Sequence, residues 1–305
     1  LPAEPTPTDT PAGAQALVAD LLGRCRFPPR GTEVTCGVSG GADSLALLVL
    51  AVEAGCRVTA VHVDHGLRPG AAAEADVVAE VAARLGAGFR AERVVVSPGG
   101  NLEARARAAR HAVLGPHALL GHTADDQAET VLLNLLRGAG PDGLAGMRPD
   151  RRPLLRLRRR ETSALCAALG ITPVSDPTNA DPGFLRNRVR HELLPLLDDI
   201  AGRDVAALLS RQAELWREVA DDLDRRAGAI DPTDAAALAA APALLAGAAV
   251  RRWLRPCSPE GHPPGAATVD RVLAVARGEA VATEVGRGWR VTRRHGRLRL
   301  SRDPQ

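Results

Sequence analysis

Ser39-Gly40-Gly41-Ala42-Asp43-Ser44 is the stretch that decides the fold. It follows a short apolar run, residues 33–38, and opens residues 43–52, where apolar side chains recur at helical spacing. A strand therefore runs through a glycine turn into a helix. Two adjacent glycines let backbone amides approach an oxyanion with no Cβ in the way. The helix N-terminus adds free N–H donors and a partial positive charge. Ser39 and Ser44 bring hydroxyls to the same anion. Asp43 is the odd member, because a carboxylate repels phosphate, and a divalent cation between the two resolves the conflict. The loop is neither a Walker A sequence nor a GxGxxG fingerprint, and the chain has no lysine for the former.

Outward from the loop, strand patterns at 33–38, 57–63, 90–96 and 117–120 alternate with helical patterns at 14–22, 43–52, 71–85, 101–113 and 124–136. That alternation predicts an α/β fold, a mostly parallel sheet with helices on both faces. Such sheets bind ligands at the C-terminal ends of their strands. Four polar clusters fall there, at 39–43, 62–65, 97–101 and 121–126. After residue 137 the texture changes. Residues 138–160 are rich in Gly, Pro and Arg, and Arg148, Arg151, Arg152, Arg156, Arg158, Arg159 and Arg160 form the densest positive run. A helix at 161–169, a loop at 172–182 and a basic helix at 184–191 follow, with Pro195 expected to break or bend the pattern. Beyond residue 200 come a long helix (201–226), an alanine-rich helical stretch (231–254), a last helix (267–276) and short strands within 282–300. The expected division is a disordered tail at 1–13, a catalytic domain at 14–199 and a smaller, mainly helical domain at 200–305.

The formal charge of the 305 residues is only +3, but all 39 basic residues are arginine. GC-rich codon usage accounts for this, and the result is a surface of planar donor forks suited to phosphate and to bases. The cysteines number five and form no CxxC pair, which argues against a disulfide framework or zinc knuckle. No apolar run approaches the ~18 residues of a membrane span. A cytoplasmic enzyme is expected.

A second constellation is Gly121-His122-Thr123-Ala124-Asp125-Asp126-Gln127-Ala128-Glu129-Thr130. Adjacent carboxylates at a helix start are each favoured by the dipole yet repel one another. A metal ion or a cationic substrate relieves that repulsion, and the spacing lets Asp125, Asp126 and Glu129 reach one acidic pocket. His122 reads either as a loop histidine satisfied by local hydrogen bonds or as a donor to a phosphate.

The chain resembles the tRNA(Ile)-lysidine synthase family of the N-type ATP pyrophosphatase (PP-loop) superfamily, whose fold is adenine nucleotide alpha hydrolase-like. The SGGADS loop carries the superfamily match. The narrower one rests on VHVDHGLR (61–68), NLEARARAAR (101–110), GHTADDQAET (121–130), LLRGAGPDGLAGM (135–147) and DPTNADPGFLRNRVRHELLP (176–195), in the family's order. Two positions depart from the pattern, with Thr123 where a second histidine is usual and His111 where tyrosine is common. The resemblance implies a ligase that uses ATP and Mg²⁺ on a tRNA(Ile) with a CAU anticodon. The C2 oxygen of the wobble cytidine attacks the α-phosphate, and free L-lysine then displaces AMP through its ε-amine.

On that resemblance Ser39 to Ser44, His62, His65 and His122 hold the nucleotide. Asp43 and Asp126 hold the metal, and Asp43, Asp125, Asp126, Arg105 and Arg110 are catalytic. Glu129, Arg186 and Arg190 bind substrate. The residues alone leave open how Asp125, Asp126 and Glu129 divide between metal and lysine, and whether the arginines meet base, triphosphate or tRNA backbone. The run Arg148 to Arg160 is expected on tRNA phosphates, and a homodimer is compatible with the family. A tRNA thiolation enzyme wants a cysteine pair that is missing here, and a glutamine-dependent synthetase wants a domain for which there is no room. A non-catalytic tRNA-binding module has no use for the acidic cluster.

Overall fold

The computed structural model describes residues 12–64, 71–94, 102–174, 181–257 and 264–302. Two compact units divide the chain between Glu214 and Leu215, inside a long helix and downstream of the boundary expected at residue 200.

The first unit alternates as the sequence predicts: α1 (Ala12–Arg24), β1 (Glu33–Gly37), α2 (Ala42–Glu53), β2 (Arg57–Asp64), α3 (Ala71–Arg84), β3 (Gly88–Arg93), α4 (Leu102–Leu114), β4 (Leu119–Leu120) and α5 (Ala124–Leu136). The four strands form one parallel sheet in the order β3-β2-β1-β4. Side chains two apart on a strand share a face. In β2, Val58 and Ala60 accordingly enter the main core with α2, while Val61 and Val63 join Leu114, Ala118 and Leu120 on the other side. Helix α2 is buried from Ser44 to Ala51, as its unbroken apolar sequence requires of a central helix. Edge strand β3 is mostly exposed and carries Arg90, Glu92 and Arg93, charges that protect a free sheet edge.

After α5 the chain continues through α6 (Pro141–Leu144), α7 (Arg159–Ala168), α8 (Leu185–Arg188), a π-helical turn (Val189–Leu193) and α9 (Leu194–Ala201). The helical pattern is irregular at Pro195, as expected: it is the second residue of α9 and follows directly on the π-helical turn that ends at Leu193. Helix α7 lies against α1 and α2, with Leu154, Leu157, Leu165 and Cys166 in the same core, so this Gly/Pro/Arg-rich segment belongs to the catalytic unit.

Helix α10 (Val205–Ala227) crosses into the second unit, which adds α11 (Ala235–Ala240), α12 (Ala243–Leu254), α13 (Ala266–Arg277) and an antiparallel sheet, β5 (Ala282–Gly286), β6 (Trp289–Arg294) and β7 (Arg297–Arg302). Pro242 splits the alanine-rich stretch into α11 and α12. The β6–β7 turn has positive φ at both His295 and Gly296, which matches the twist of a tight hairpin. The core here is small-residue packing, with Ala235, Leu238, Ala249, Val250, Val272, Val275, Val291 and Leu298. Among the described residues no helix is long and apolar enough to cross a membrane.

One close approach fixes the site. β4 ends at Gly121, where a Cβ would lie 2.6 Å from the Asp43 carbonyl oxygen and 2.9 Å from its carbon. Backbone cannot give way as a side-chain tip can, so Gly121→Ala should shift α2 or β4. The expected cost is about 1–3 kcal/mol, read as a lower denaturation midpoint in urea.

Candidate functional site

β1 leads into the loop through Val38, whose N–H donates to the Val61 carbonyl at 3.0 Å. Gly40 then adopts φ +83°, a conformation that favours glycine. The Ser44 hydroxyl accepts from the Ser39 N–H at 3.1 Å and donates to the Gly41 carbonyl at 2.9 Å, with the Ser39 hydroxyl 3.2 Å away. No side chain caps α2 at Gly41. Its first N–H groups are therefore presented as an anion site requires. His62, buried on β2, braces the approach through Nδ1, 3.0 Å from the Val38 carbonyl, while its Nε2 is buried with no partner among the described residues. His65 lies outside the described residues, as does the cluster at 97–101 apart from its backbone neighbours. Arg105 and Arg110 sit half-buried on α4.

Thr123 caps α5. Its N–H and its hydroxyl both donate to the Asp126 carboxylate, each at 2.9 Å, so the residue that departs from the family's usual histidine orients an acid. Gln127 turns the other way. It accepts from the Met147 N–H at 2.8 Å and donates to the Ala145 and Met147 carbonyls, pinning the segment after α6 to α5.

The acids do not share one environment. Asp125 accepts a two-point contact from Arg158 (3.0 and 2.8 Å) and the Arg159 N–H at 2.7 Å, so it anchors the start of α7. Arg158 also pairs with Asp204. Asp43, Asp126 and Glu129 converge instead on the Arg159 guanidinium. Nε lies 3.3 Å from Asp43, Nη2 lies 3.1 Å from Asp126 and 3.3 Å from Glu129, and Nη1 lies 3.4 Å from Glu129. Glu129 is wholly buried and also receives Arg186 at 2.6 Å and Arg190 at 2.7 Å, while Arg186 reaches Asp126 at 3.0 Å. Arg186 and Arg190, four apart across α8 and the π turn, thus meet one carboxylate. The buried Thr162 hydroxyl donates to Asp43 across a short contact.

Burial sets the acids apart electrically. It pushes the Asp43 carboxyl up to about 6, against the opposing effects of Thr162 and Arg159 and with help from neighbouring Asp126. Asp126 is also pushed up by burial, but Arg159, His122, Arg186 and the Thr123 N–H outweigh this and take it down to about 2. Burial acts on Asp125 too and is overcome by Arg158 and the Arg159 N–H, leaving it lowered. The donors are of the type that suits a hard cation: Asp43 and Asp126 are both carboxylates and both face Arg159, at Nε and Nη2 respectively. Among the described residues no group of three His, Cys, Asp or Glu side chains forms a complete cage. Two carboxylates with phosphate oxygens is an arrangement Mg²⁺ favours.

Arg158, Arg159 and Thr162 are the residues that sequence reasoning misassigned or missed. The basic run does not face outward as a unit. Arg151 donates to the carbonyls of Ala118 and Gly115, Arg156 pairs with Glu214, and Arg160 with Asp204. A signal was present: Arg159, Thr162 and Cys166 fall on the helix face that also buries Leu165.

The PP-loop domain family model matches residues 15–197. The tRNA(Ile)-lysidine synthase of Nocardia farcinica is 47% identical over 247 residues, 75% of this chain and 77% of that protein. Those of Rhodococcus erythropolis and Mycobacterium tuberculosis are 45% identical (81% of each chain) and 42% identical (88% of this chain, 90% of that one). The chain belongs to the tRNA(Ile)-lysidine synthase family. It is an ATP-binding ligase of the class that forms a carbon–nitrogen bond. Among solved structures, a U34-tRNA thiolase from Methanococcus maripaludis with a 4Fe-4S cluster matches with a TM-score of 0.53 at 19% identity, over 67% of this chain and 79% of that one. That likeness is one of fold. Burial pushes the thiols of Cys25 and Cys36 up to about 12 and that of Cys166 to about 11, so these are poor thiolates.

Asp43 carries a test of this electrostatic picture. A carboxyl raised in the folded state favours its protonated form, so its ionisation costs stability as pH rises from about 4 to about 6. Asp43→Asn should therefore melt higher than the parent at pH 8, by an amount on the order of 1 kcal/mol. The difference should shrink at pH 5, where the parent's carboxyl is protonated. Calorimetry at the two pH values measures it.

Proposed function

We propose that the protein makes lysidine at the wobble cytidine of a tRNA(Ile) with a CAU anticodon, in the cytoplasm, from ATP and free L-lysine. The observation that carries this reading is the meeting, at Asp43, of a phosphate-binding helix start with an acidic pocket on α5. Nucleotide chemistry and a cationic amino acid are needed side by side, and these two features adjoin.

In the first step the C2 oxygen of the base bonds to the α-phosphorus and pyrophosphate departs. Negative charge builds on the phosphate oxygens. The amides at the start of α2 and the Ser39 hydroxyl are assigned to that charge, while the Ser44 hydroxyl, which donates to the Gly41 carbonyl, shapes the loop and would reach phosphate only by turning from it. Arg105, Arg110 and His122 are assigned to the triphosphate or the activated base, and the unpartnered Nε2 of His62 is offered to the adenosine side. Asp43 and Asp126 would hold Mg²⁺, which supplies charge neutralisation at the departing pyrophosphate. In the second step the neutral ε-amine of lysine bonds to C2, AMP leaves carrying the C2 oxygen, and one proton of the amine passes to solvent. Asp126 and Glu129 receive the amino acid's cationic groups, with Arg186 and Arg190 framing the same pocket. Asp126, held far below neutral pH in its ionisation, is an electrostatic anchor and a poor proton acceptor. The target base lies in a single-stranded loop and can be turned into such a pocket. Exposed arginines of the second unit, among them Arg290, Arg294 and Arg299, are assigned to tRNA phosphates.

Turnover measured as pyrophosphate and AMP should require both lysine and tRNA(Ile). Glutamine-supported turnover in place of lysine would overturn the reading. Asp43→Ala should reduce pyrophosphate release to background while tRNA affinity, measured by filter binding, stays within a few-fold. An equal loss of both would make Asp43 a structural residue.

A further inference from the structure

The acidic pocket is already charge-balanced. Asp43, Asp125, Asp126 and Glu129 face the guanidiniums of Arg158, Arg159, Arg186 and Arg190. A cationic amino acid gains little from carboxylates that are already neutralised, unless a resident cation withdraws. The four arginines are not equally free to do so. Arg158 is held by Asp125 and Asp204 together and is 16% exposed. Arg186 and Arg190 make the short contacts to Glu129, at 2.6 and 2.7 Å. Arg159 makes only long ones, 3.1 to 3.4 Å, spread over three acids with no paired two-point geometry. Short, paired contacts are the strong ones for a guanidinium. Its side chain is 28% exposed, while its own backbone N–H is fixed to Asp125 at 2.7 Å. The head can therefore move without disturbing α7.

Among the described residues, Arg159 is the arginine that spans the two halves of the site. It touches Asp43, the second residue of α2, and it touches Asp126 and Glu129 on α5. A phosphate at the start of α2 arrives beside Asp43 and offers the guanidinium a better partner, since arginine binds phosphate through two parallel donors.

We infer that Arg159 is a positioning residue that couples the two substrates: it occupies Asp126 and Glu129 while the nucleotide site is empty, and passes to the phosphates when ATP binds, leaving those carboxylates to the lysine cation. This rests on the lysidine reading above. In linkage terms, nucleotide and lysine bind with positive cooperativity, and Arg159 carries the coupling.

The test is equilibrium binding of radiolabelled L-lysine to the full chain, with and without Mg²⁺ and a non-hydrolysable α,β-methylene ATP analogue. The parent should bind lysine about tenfold more tightly with the analogue, within the usual range of such couplings. Arg159→Met keeps the aliphatic stem and removes the charge. It should bind lysine without nucleotide as tightly as the loaded parent does, and the analogue should change that affinity less than about twofold. Arg159→Lys, which keeps the charge, should retain coupling. Thermal melting of each variant establishes that it is folded. The inference fails if folded Arg159→Met binds lysine more weakly than the parent without nucleotide, or if the parent shows no coupling while its turnover still depends on lysine. A parent whose turnover needs no lysine overturns the proposed function itself, and the coupling with it.

Discussion

A carboxylate with none of its surface in water must be met by cations or it destabilises the fold that buries it. Glu129 is such a group, and three arginines from two segments of the chain reach it. Much of the first unit's arrangement follows. Helix α7 must present Arg159, and α8 with its π turn must present Arg186 and Arg190, so the irregular segment after α5 is drawn onto the parallel sheet. Removing one partner from such a network typically costs about 3–5 kcal/mol, while an apolar replacement of the whole would often be neutral or stabilising. A network of this kind is better explained by chemistry than by stability.

The same burial gives neighbouring carboxylates different characters. Asp126 is reached by arginines, His122 and the Thr123 cap, and stays charged well into acid. Asp43 lies between the nucleotide loop and this network, with a titration near neutrality. One acid is a fixed anchor, and the other is a group whose charge responds to what binds beside it. Neither property is local to a motif: Arg159, more than a hundred residues downstream of Asp43, helps to hold Asp126 low, and with Thr162 it works against the burial that raises Asp43.

The α/β unit was legible from periodicity because its strands and helices each satisfy one simple pattern: β2 alternates between two cores and α2 is apolar throughout. The phosphate loop was legible because a strand, a glycine pair and a helix start are consecutive in sequence. The basic run from Arg148 to Arg160 was not. Charge density alone cannot separate an arginine that faces solvent from one that reaches inward, and here Arg158 and Arg159 reach carboxylates of α5 while Arg151 reaches the backbone carbonyls of Ala118 and Gly115. The competing uses of Asp125, Asp126 and Glu129 were likewise undivided by spacing. Three-dimensional placement turned Asp125 toward α7 and left the other two facing Arg159.

Among the described residues the side chains paired with the acids of the pocket are guanidiniums, with His122 also acting on Asp126, and the 305 residues hold no primary amine on any side chain. A guanidinium stays protonated at any physiological pH and is no nucleophile there. In the proposed reaction an activated carbon waits for an amine. The incoming amino acid therefore meets no competing primary amine from the protein's own side chains.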